Sequence, residues 1–275
     1  MNRRLAILIA VVALLATSCR RGEVSTSGKR APVILISIDT LRADHLPLFG
    51  YKDVETPNID ALRRDGILFT NAFCHVPLTL PSHVTVLTGL LPPDNKVRNN
   101  IGYKLDPAVP TLPGILKASG YATGASVSAY VLRGSTGLGP SFDFYDDAIA
   151  SKPGTPVGSL QRSGKASEEI AARWIGENDS KPFFFFLHLF EPHSPYTPPE
   201  PFRSRFRLPY DGEIATADAI VGDLLDFLRK RGLYDKAIIV LMSDHGEGLY
   251  EHGEPEHGIF LYREAIHVPL IVKLP

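Results

Sequence analysis

Three short apolar segments constrain the fold of this chain most strongly. Val33–Ile38 is an apolar, β-branched run, residues 183–190 form an aromatic run, and residues 237–242 form a third segment. Segments of this kind suit strands that are buried on both faces, which is the usual environment of a parallel sheet. The chain is therefore predicted to build a central sheet that other elements cover on both sides.

Helical periodicity separates these strands. The longest predicted helix covers residues 213–231, where apolar side chains recur every three or four positions along one side. Further helices are predicted at residues 57–65, 82–87, 112–119 and 167–175, and further strands at residues 67–73, 121–128 and 268–272. This alternation predicts an α/β fold with a doubly wound, mostly parallel sheet sandwiched by helices. The Gly- and Pro-rich residues 133–164 are predicted to form a long loop.

Length and charge narrow the classes of function. The 275 residues suffice for one large domain or two small ones. The formal net charge is −1 at pH 7, and the sequence has no long basic run. Proteins that bind nucleic acid through its phosphates usually cluster Lys and Arg, so no nucleic-acid partner is expected.

Residues 1–31 are typical of a targeting region. Arg3 and Arg4 precede the apolar residues 5–15, and small residues come directly before Cys19. This order is typical of a secretory signal, and the cysteine resembles that of a bacterial lipoprotein cleavage site. Residues 1–19 are predicted to be a lipoprotein-type signal peptide that leaves a lipid on Cys19; the alternative is an uncleaved membrane anchor. Residues 20–31 would then be a flexible tether, and the protein is expected in the cell envelope, facing the periplasm or the exterior.

Polar residues follow each of the three apolar segments. Asp39 comes directly after the first segment, Glu191 and His193 follow the second, and Asp244 and His245 follow the third. Functional groups of an open parallel sheet gather beyond the carboxyl ends of its strands, so these side chains are expected to converge. Asp39 alone is explained equally well as a helix cap, but the whole set favours a functional site.

Thr79 is the predicted nucleophile of that site. Pro81 suits the first turn of a short helix, whose backbone N–H groups would face Thr79 and a bound anion. A threonine hydroxyl needs a base or a metal to react, and neighbouring Asp244 and His245 suit Zn²⁺ or Mn²⁺ better than Ca²⁺ or Mg²⁺. The alternative is that Thr79 only caps the helix. Together these residues predict a metal-activated site that cleaves a phosphate or sulfate ester.

Several segments resemble the sulfatase branch of the alkaline phosphatase superfamily. The resemblance runs from about Pro32 to the last residue, and its motifs follow the order usual in the family. The matching segments are residues 38–44, 56–60, 77–83, 97–100, 191–196, 243–247 and 256–258. Residues 32–275 are thus identified as a sulfatase-like catalytic domain. The domain is expected to be incomplete, because chains of this family continue past the corresponding point.

The chain departs from true sulfatases at four positions. Their nucleophile motif resembles Cys-x-Pro-Ser-Arg or Ser-x-Pro-Ser-Arg, and its first residue is converted to formylglycine. Thr79 stands first in the motif here, so no formylglycine is expected. Thr40 stands where a second aspartate is usual, His245 replaces an asparagine, and His257 replaces a lysine. These departures resemble the phosphoesterase and phosphotransferase relatives, which combine a threonine nucleophile with Zn²⁺ or Mn²⁺.

The resemblance also implies roles for individual residues. One divalent metal, with Zn²⁺ or Mn²⁺ favoured and Ca²⁺ possible, would be held by Asp39, Thr79, Asp244 and His245. His193 and His257 would act in catalysis, either by holding a second metal or by gripping the oxygens of the substrate. The implied substrate-binding residues are Arg98 and Asn99, near the leaving or transferred group, and His83 in the nucleophile motif.

Three functions remain open from the sequence. The preferred one is a metal-dependent hydrolase that cleaves a phosphate or sulfate ester through a covalent intermediate on Thr79. The second is a phosphoryl or phosphoalcohol transferase that acts on an envelope lipid or glycan. The third is an inactive binding module or a fragment. The expected partners are a small-molecule, glycan or lipid ester and, through Cys19, a membrane.

Overall fold

The computed structural model describes residues 30–150, 154, 155, 157 and 160–275. The predicted signal peptide and residues 20–29 of the predicted tether lie outside these residues. In the described part of the chain, no helix is both long enough and apolar enough to cross a bilayer. Residues 31–275 cluster into one unit.

Seven strands of the described chain form one mixed sheet. They are β1 (Val33–Ile38), β2 (Ile67–Phe73), β3 (Ala122–Ser126), β4 (Phe144–Asp146), β5 (Phe183–Leu189), β6 (Ile238–Ser243) and β7 (His267–Lys273). Their order across the sheet is β2-β7-β6-β1-β5-β3-β4. Strand β1 pairs in parallel with β5 and β6, and β3 pairs in parallel with β5 and β4. Strand β7 is the exception and runs antiparallel to both β6 and β2. Because the other four pairings are parallel, the predicted mostly parallel sheet is confirmed.

Helices cover both faces of this sheet. They are α1 (Pro57–Arg64), α2 (Thr79–Thr88), α3 (Pro92–Asn95), α4 (Leu112–Ala118), α5 (Gly164–Asn178), α6 (Phe202–Arg205), α7 (Pro209–Lys230) and α8 (Arg263–Ile266). Ile34 and Phe185 belong to a core shared with α1, α5 and α7, whereas Leu35 and Phe184 belong to a core shared with α2. Because adjacent residues of a strand point to opposite faces, the apolar runs supply both cores at once. The predicted doubly wound sandwich is confirmed.

The region predicted as a long loop, residues 133–164, contains a strand. Strand β4 extends the sheet beside β3 over three residue pairs. The ring of Phe144 in β4 stacks near that of Trp174 in α5, with ring centroids 6.3 Å apart. This aromatic contact and the pairing with β3 position the strand. Three residues carry too little of a period-two pattern to be recognised in the sequence, so the predicted long loop or insertion missed this strand.

Helix α2 carries the predicted nucleophile at its first position. It begins at Thr79, three residues before the predicted start, because Pro81 fits a first helical turn where its missing N–H is not needed. Leu80 and Val84 are fully buried against the sheet. Gly89 ends the helix with φ of 69°, in the left-handed region that glycine adopts without strain. These contacts fix the first turn of α2 relative to the strands.

Candidate active site and metal centre

The carboxyl ends of two adjacent strands bring three ligand-type side chains together. Asp39 follows β1, and Asp244 and His245 follow β6, which pairs with β1. Their ligand atoms lie within 4.8 Å of one another, and all three residues are fully buried. The Nε2 atom of His245 lies 3.4 Å from Asp244 Oδ2 and 3.7 Å from Asp39 Oδ1. The structure therefore places three of the four predicted metal ligands in one cluster.

His245 presents an unprotonated nitrogen to this cluster. Its Nδ1–H donates to the carbonyl oxygen of Gly246 at 3.0 Å, which leaves the lone pair on Nε2. Burial and the neighbouring His257 hold the pKa of His245 well below its usual range, so the ring is neutral. A Cβ atom at Gly246 would lie 1.9 Å from the carbonyl oxygen of Glu264, so only glycine fits this close approach. A neutral imidazole with a free Nε2 is the form that binds metals.

Buried polar atoms without partners concentrate at the same edge of the sheet. Six buried side-chain nitrogen or oxygen atoms of the described residues lack a hydrogen-bond partner, and five of them belong to Asp39, Thr40, His188 and Asp244. Both oxygens of Asp39 and the Oδ2 atom of Asp244 are among these five. An unsatisfied buried polar atom costs about 1–3 kcal/mol, and a charged one costs more. The donor set fits a divalent cation, which would engage the unpartnered oxygens and balance their charge.

Repulsion between the two carboxylates supports the same conclusion. Burial and the negative charge of Asp39 raise the pKa of Asp244 well above its usual range. Burial also acts to raise the pKa of Asp39, but His188, His193 and His245 outweigh it and hold that pKa below the usual range. When two carboxylates share a buried site, one ionises readily and the other keeps its proton, because two negative charges repel each other. A cation between them would allow both to ionise.

Thr79 presents its hydroxyl to this cluster. Its Oγ1 atom lies 3.3 Å from His245 Nε2, and the residue is 2 % exposed. Because that nitrogen carries no proton, the hydroxyl donates to it. The first turn of α2 is tied to the end of β6 by Ser82, whose hydroxyl donates to the carbonyl oxygen of Asp244 at 2.7 Å. The predicted nucleophile therefore lies against the three predicted metal ligands.

His83 lies beneath the cluster rather than on its open side. It is 1 % exposed, its Nδ1–H donates to the carbonyl oxygen of Thr79 at 2.7 Å, and its Nε2 accepts from the hydroxyl of Ser37 at 2.9 Å. Burial lowers its pKa to about 3, so the ring is neutral and both nitrogens are occupied. The geometry does not support the predicted substrate contact. His83 instead ties α2 to β1.

Arg98 and Asn99 occupy an exposed segment after α3. Neither forms a hydrogen bond or ion pair with another described residue, and their predicted contact with substrate stays a prediction. Their neighbour Asn100 does reach the site, since its Oδ1 accepts from the backbone N–H of Leu80 at 2.8 Å. This bond satisfies one of the free N–H groups in the first turn of α2. The motif that contains Arg98 thus contributes a residue that positions the nucleophile helix.

His257 and His193 border the cluster on its open side. The ring of His257 lies 4.3 Å from that of His245 and 5.1 Å from that of His193. The Nδ1–H of His257 donates to Glu247 Oε1 at 2.9 Å, and Glu247 Oε2 accepts from the hydroxyl of Tyr196 at 2.8 Å. Burial acts to lower the pKa of His257, but the charge of Glu247 outweighs it and raises the pKa above its usual value. The Glu247 carboxylate therefore favours the positively charged form of His257, which suits an anionic substrate.

Two residues beside the site were given no role from the sequence, which left His188 pointing either to the site or to the core. Glu247 is fully buried and lies in a segment that matched the family, but nothing in the sequence showed that it would hold His257. His188 lies on the face of β5 that also carries Phe184 and Phe186, which pack in the core shared with α2. Alternation along the strand therefore directs His188 to the same side as α2. Strand parity was the signal that could have placed it near the nucleophile.

His188 lies beside Asp39. Its Nδ1 accepts from the backbone N–H of Ser128 at 3.4 Å, so the proton lies on Nε2, 3.5 Å from Asp39 Oδ2. Ligand atoms of His83, His188 and Asp244 also lie within 4.8 Å of one another. That second group suits a metal less well, because the nitrogens of His83 and the Nδ1 of His188 are already engaged. The cluster around Asp39 and His245 is the better candidate metal centre.

A cavity of about 410 Å³ adjoins this site on the side of His193. It lies between the start of α5, the segment of residues 190–199 and helix α7. Glu213 of α7 lines it and is 5 % exposed, with its Oε1 accepting from the backbone N–H of Thr197 at 2.8 Å. Burial and the nearby charge of Glu191 raise the pKa of Glu213 to about 7, against the opposing influence of the Thr197 N–H and Arg203. The cavity is thus lined by a carboxyl group that titrates near neutrality.

This shifted pKa predicts a pH-dependent stability. Since the folded protein holds the proton of Glu213 more tightly than the unfolded chain, the stabilising contribution exists below pH 4.5 and is lost as the pH rises through about 7. Glu213→Gln keeps an oxygen that accepts from Thr197 but cannot ionise. The difference in free energy of unfolding between the variant and wild type should therefore shift by about 1 kcal/mol in favour of the variant from pH 5 to pH 8. Urea unfolding at both pH values measures this. The exposed Glu177→Gln is the control, and a pH-independent difference for Glu213→Gln would contradict the prediction.

Comparison with known proteins identifies the family. A model of the family described as sulfatase matches residues 32–275. The chain belongs to the sulfatase family. It is 24% identical to arylsulfatase K of Xenopus laevis over 92% of this chain and 60% of that protein. It is 26% identical to human ectonucleotide pyrophosphatase/phosphodiesterase family member 7 over 86% of this chain and 52% of that protein.

Solved structures agree with the fold of this sulfatase-family chain. The crystal structure of a phosphonate monoester hydrolase of Agrobacterium radiobacter superposes with a TM-score of 0.75 at 22% identity, covering 90% of this chain and 68% of that one. The chain spans about 60% of the length of the curated arylsulfatase K relative. The predicted membership in the sulfatase branch is confirmed, and the shared architecture is that of the sheet and its covering helices.

Removal of the Glu247 carboxylate should weaken any activity of this sulfatase-family site without emptying its metal centre. In Glu247→Gln, His257 loses the charge that raises its pKa, so less of it is positively charged. We expect kcat/KM to fall by about 10- to 100-fold, the usual effect of removing a residue that supports an active-site ligand. Steady-state kinetics with metal analysis of the same sample measures this, and Glu256→Gln in the same loop is the matched control. Unchanged kinetics in Glu247→Gln would show that His257 does not depend on this carboxylate.

Proposed function

We propose that this protein is a metal-dependent hydrolase that cleaves phosphate or sulfate esters through a covalent intermediate on Thr79, and that phosphate esters are the better substrates. One observation carries the proposal. The Thr79 hydroxyl lies 3.3 Å from an unprotonated His245 nitrogen, beside two buried carboxylates whose free oxygens have no protein partner. A nucleophile and a metal-ligand set that converge in a buried cluster are the parts such a reaction needs.

The ligand set proposed for the metal is Asp39, Thr79, Asp244 and His245. Zn²⁺ or Mn²⁺ is favoured because one ligand is an imidazole, and Ca²⁺ remains the alternative. When bound, the ion would supply Lewis acidity, which lowers the pKa of the Thr79 hydroxyl and neutralises charge on the ester. The Nε2 atom of His188 lies 3.5 Å from Asp39 Oδ2, and the backbone N–H of His245 donates to Asp244 Oδ1 at 3.0 Å. The second contact orients the Asp244 carboxylate before a metal binds.

The chain's own residues account for the two chemical steps. Thr79 Oγ1 bonds to the phosphorus or sulfur, the bond to the leaving oxygen breaks, and the Thr79 proton ends on the departing alcohol. His257, whose Nδ1–H donates to Glu247, stabilises the non-bridging oxygens as their charge develops. His193 lies 5.1 Å from His257 and closes the other side of the substrate. Water then attacks the phosphorus or sulfur of the Thr79 ester, the bond to Oγ1 breaks, and one water proton restores the hydroxyl as phosphate or sulfate leaves.

The preference for phosphate rests on the nucleophile and on the histidines. Thr79 cannot be converted to formylglycine, and His245 and His257 replace the asparagine and lysine of true sulfatases. Two relatives are named for phosphorus chemistry, the phosphodiesterase family member 7 and the phosphonate monoester hydrolase. We further propose that Cys19 carries a lipid and places the enzyme in the cell envelope, where lipid or glycan esters are within reach.

A matched substrate series tests this proposal. Metal-stripped protein is supplied with Zn²⁺, Mn²⁺ or Ca²⁺ and assayed on nitrophenyl phosphate, bis-nitrophenyl phosphate and nitrophenyl sulfate. The expected result is that a phosphate ester is cleaved fastest and that Zn²⁺ or Mn²⁺ restores more activity than Ca²⁺. Faster cleavage of the sulfate, or full activity without metal, would overturn the proposal. Transfer to an added alcohol in place of water would identify a transferase.

A further inference from the structure

We propose that the cavity beside His193 receives the alcohol portion of the substrate and selects one that carries an amine or ammonium group. This inference rests on the proposed function, because it names the substrate class of the same site. His193 lines the cavity, and its ring lies 5.1 Å from that of His257 at the candidate active site. A substrate whose ester faces His257 would therefore extend past His193 into the cavity. With a volume of about 410 Å³, the cavity has room for more than the ammonium group alone.

Glu213 is the residue that would recognise the cation. Glu213 is only 5 % exposed to solvent, yet it lines the cavity. Its Oε1 accepts from Thr197, whereas its Oε2 accepts no hydrogen bond from any described residue. A carboxylate oxygen that lines a cavity and has no protein donor favours a ligand that brings a donor and a positive charge.

The charges that line the cavity favour a cation over an anion or a neutral polyol. Glu191, Glu213 and Asp223 contribute carboxylates, and Lys165 is the cation among the lining residues. The Nζ atom of Lys165 lies 2.7 Å from Asp223 and also 2.7 Å from Glu168, so its charge is already balanced. A neutral polyol could fill the space but would leave the charge of Glu213 unbalanced. An amine would balance it.

The remaining lining residues are compatible with an organic cation. Phe190 and Phe202 line the cavity, and aromatic faces attract alkylammonium groups. Glu191 contributes charge but not a free binding group, because both of its oxygens accept from the backbone N–H of Gly164 at 3.0 Å. Arg203 donates its Nε–H to the carbonyl oxygen of Pro198 at 3.1 Å. Asp223 is exposed and pairs with Lys165, so Glu213 is the buried lining carboxylate with an oxygen available to the ligand.

Binding of a small amine tests the cavity without relying on turnover. Ethanolamine and 1-propanol, which differ in charge at nearly equal size, are titrated into the metal-loaded full chain and followed by ligand-observed NMR. Ethanolamine should bind at least about 10-fold more tightly. Glu213→Gln keeps the acceptor for Thr197 and should lose that preference, whereas the exposed Asp226→Asn on the same helix should keep it. Equal binding of the two ligands, or an unchanged preference in Glu213→Gln, would overturn the proposal.

A second readout separates this inference from the proposed function. Turnover of 2-aminoethyl phosphate is compared with that of propyl phosphate, and the ratio of their kcat/KM values is expected to favour the amine by about 10-fold. If both esters are cleaved at equal rates, the cavity proposal fails and the hydrolase proposal stands. If neither ester is cleaved but ethanolamine binds through Glu213, the hydrolase proposal fails and the cavity proposal stands.

Discussion

Thr79→Ala is expected to abolish turnover while metal content is largely retained. The substitution removes the hydroxyl that lies 3.3 Å from His245 Nε2, but it leaves Asp39, Asp244 and His245 in place. Loss of a nucleophile that acts as part of a unit lowers kcat by more than about 1,000-fold in well-studied hydrolases. The fall should appear in kcat rather than in KM, because the hydroxyl acts on the reacting atom. Steady-state kinetics and elemental analysis of the same preparation measure the two quantities.

Thr79→Ser is the matched control for this prediction. Serine keeps a hydroxyl at the first position of α2, so part of the activity should remain. The pair of variants separates the chemical role of the hydroxyl from the packing role of the side chain. Full activity in Thr79→Ala would remove Thr79 as the nucleophile, and an equal loss in both variants would assign the defect to packing.

Asp244→Asn should lower metal content and activity together and should stabilise the metal-free protein. The Oδ2 atom of Asp244 has no protein partner, while its Oδ1 accepts from the backbone N–H of His245. Asparagine can still accept from the His245 N–H, but it offers the metal a neutral ligand in place of a carboxylate. Activity should fall by more than the 10- to 100-fold that is typical of outer residues around a metal. Without metal, the variant no longer places two buried carboxylates against each other, so its free energy of unfolding should rise by about 1–3 kcal/mol.

The opposite signs of these two effects make the prediction specific. A general folding defect would lower both stability and activity, whereas loss of a metal ligand lowers only activity and metal content. Elemental analysis measures the metal content, and urea unfolding in the presence of a chelator measures the stability of the metal-free protein. The exposed Asp53→Asn is the control. Normal metal content in Asp244→Asn would remove Asp244 from the ligand set.

The sequence predicted the central strands well because burial on both faces produces an unmistakable apolar run. The bounds predicted for β1 match the structure, those of β5 differ by one residue at its end, and those of β6 differ by one residue at both ends. Asp39 and Asp244 could be placed at the same edge from those runs alone, since parallel strands end on the same side. Strand β4 could not be predicted, because its three half-buried residues depend on partners that are distant in sequence.

The contacts between side chains within the site depend on tertiary packing, so they could not be predicted from the sequence. His83 occupies a position in the nucleophile motif that suggests contact with substrate, yet helix geometry points its Nδ1–H back to Thr79, four residues earlier. Glu247 and His257 are ten residues apart, and only the folded loop brings them within 2.9 Å. Glu213 looked like an ordinary residue of a long helix. Its role beside the cavity follows from the segment of residues 190–199 that packs against it.

Detection of the covalent intermediate tests the central claim most directly. The metal-loaded protein is mixed with nitrophenyl phosphate, quenched in acid within the first turnovers, and digested for mass spectrometry of the peptide that contains residues 77–83. The account predicts the added mass of one phosphoryl group on Thr79, and no such adduct in Thr79→Ala. Turnover of the substrate with an unmodified Thr79 at every quench time, or an adduct on another residue, would contradict it.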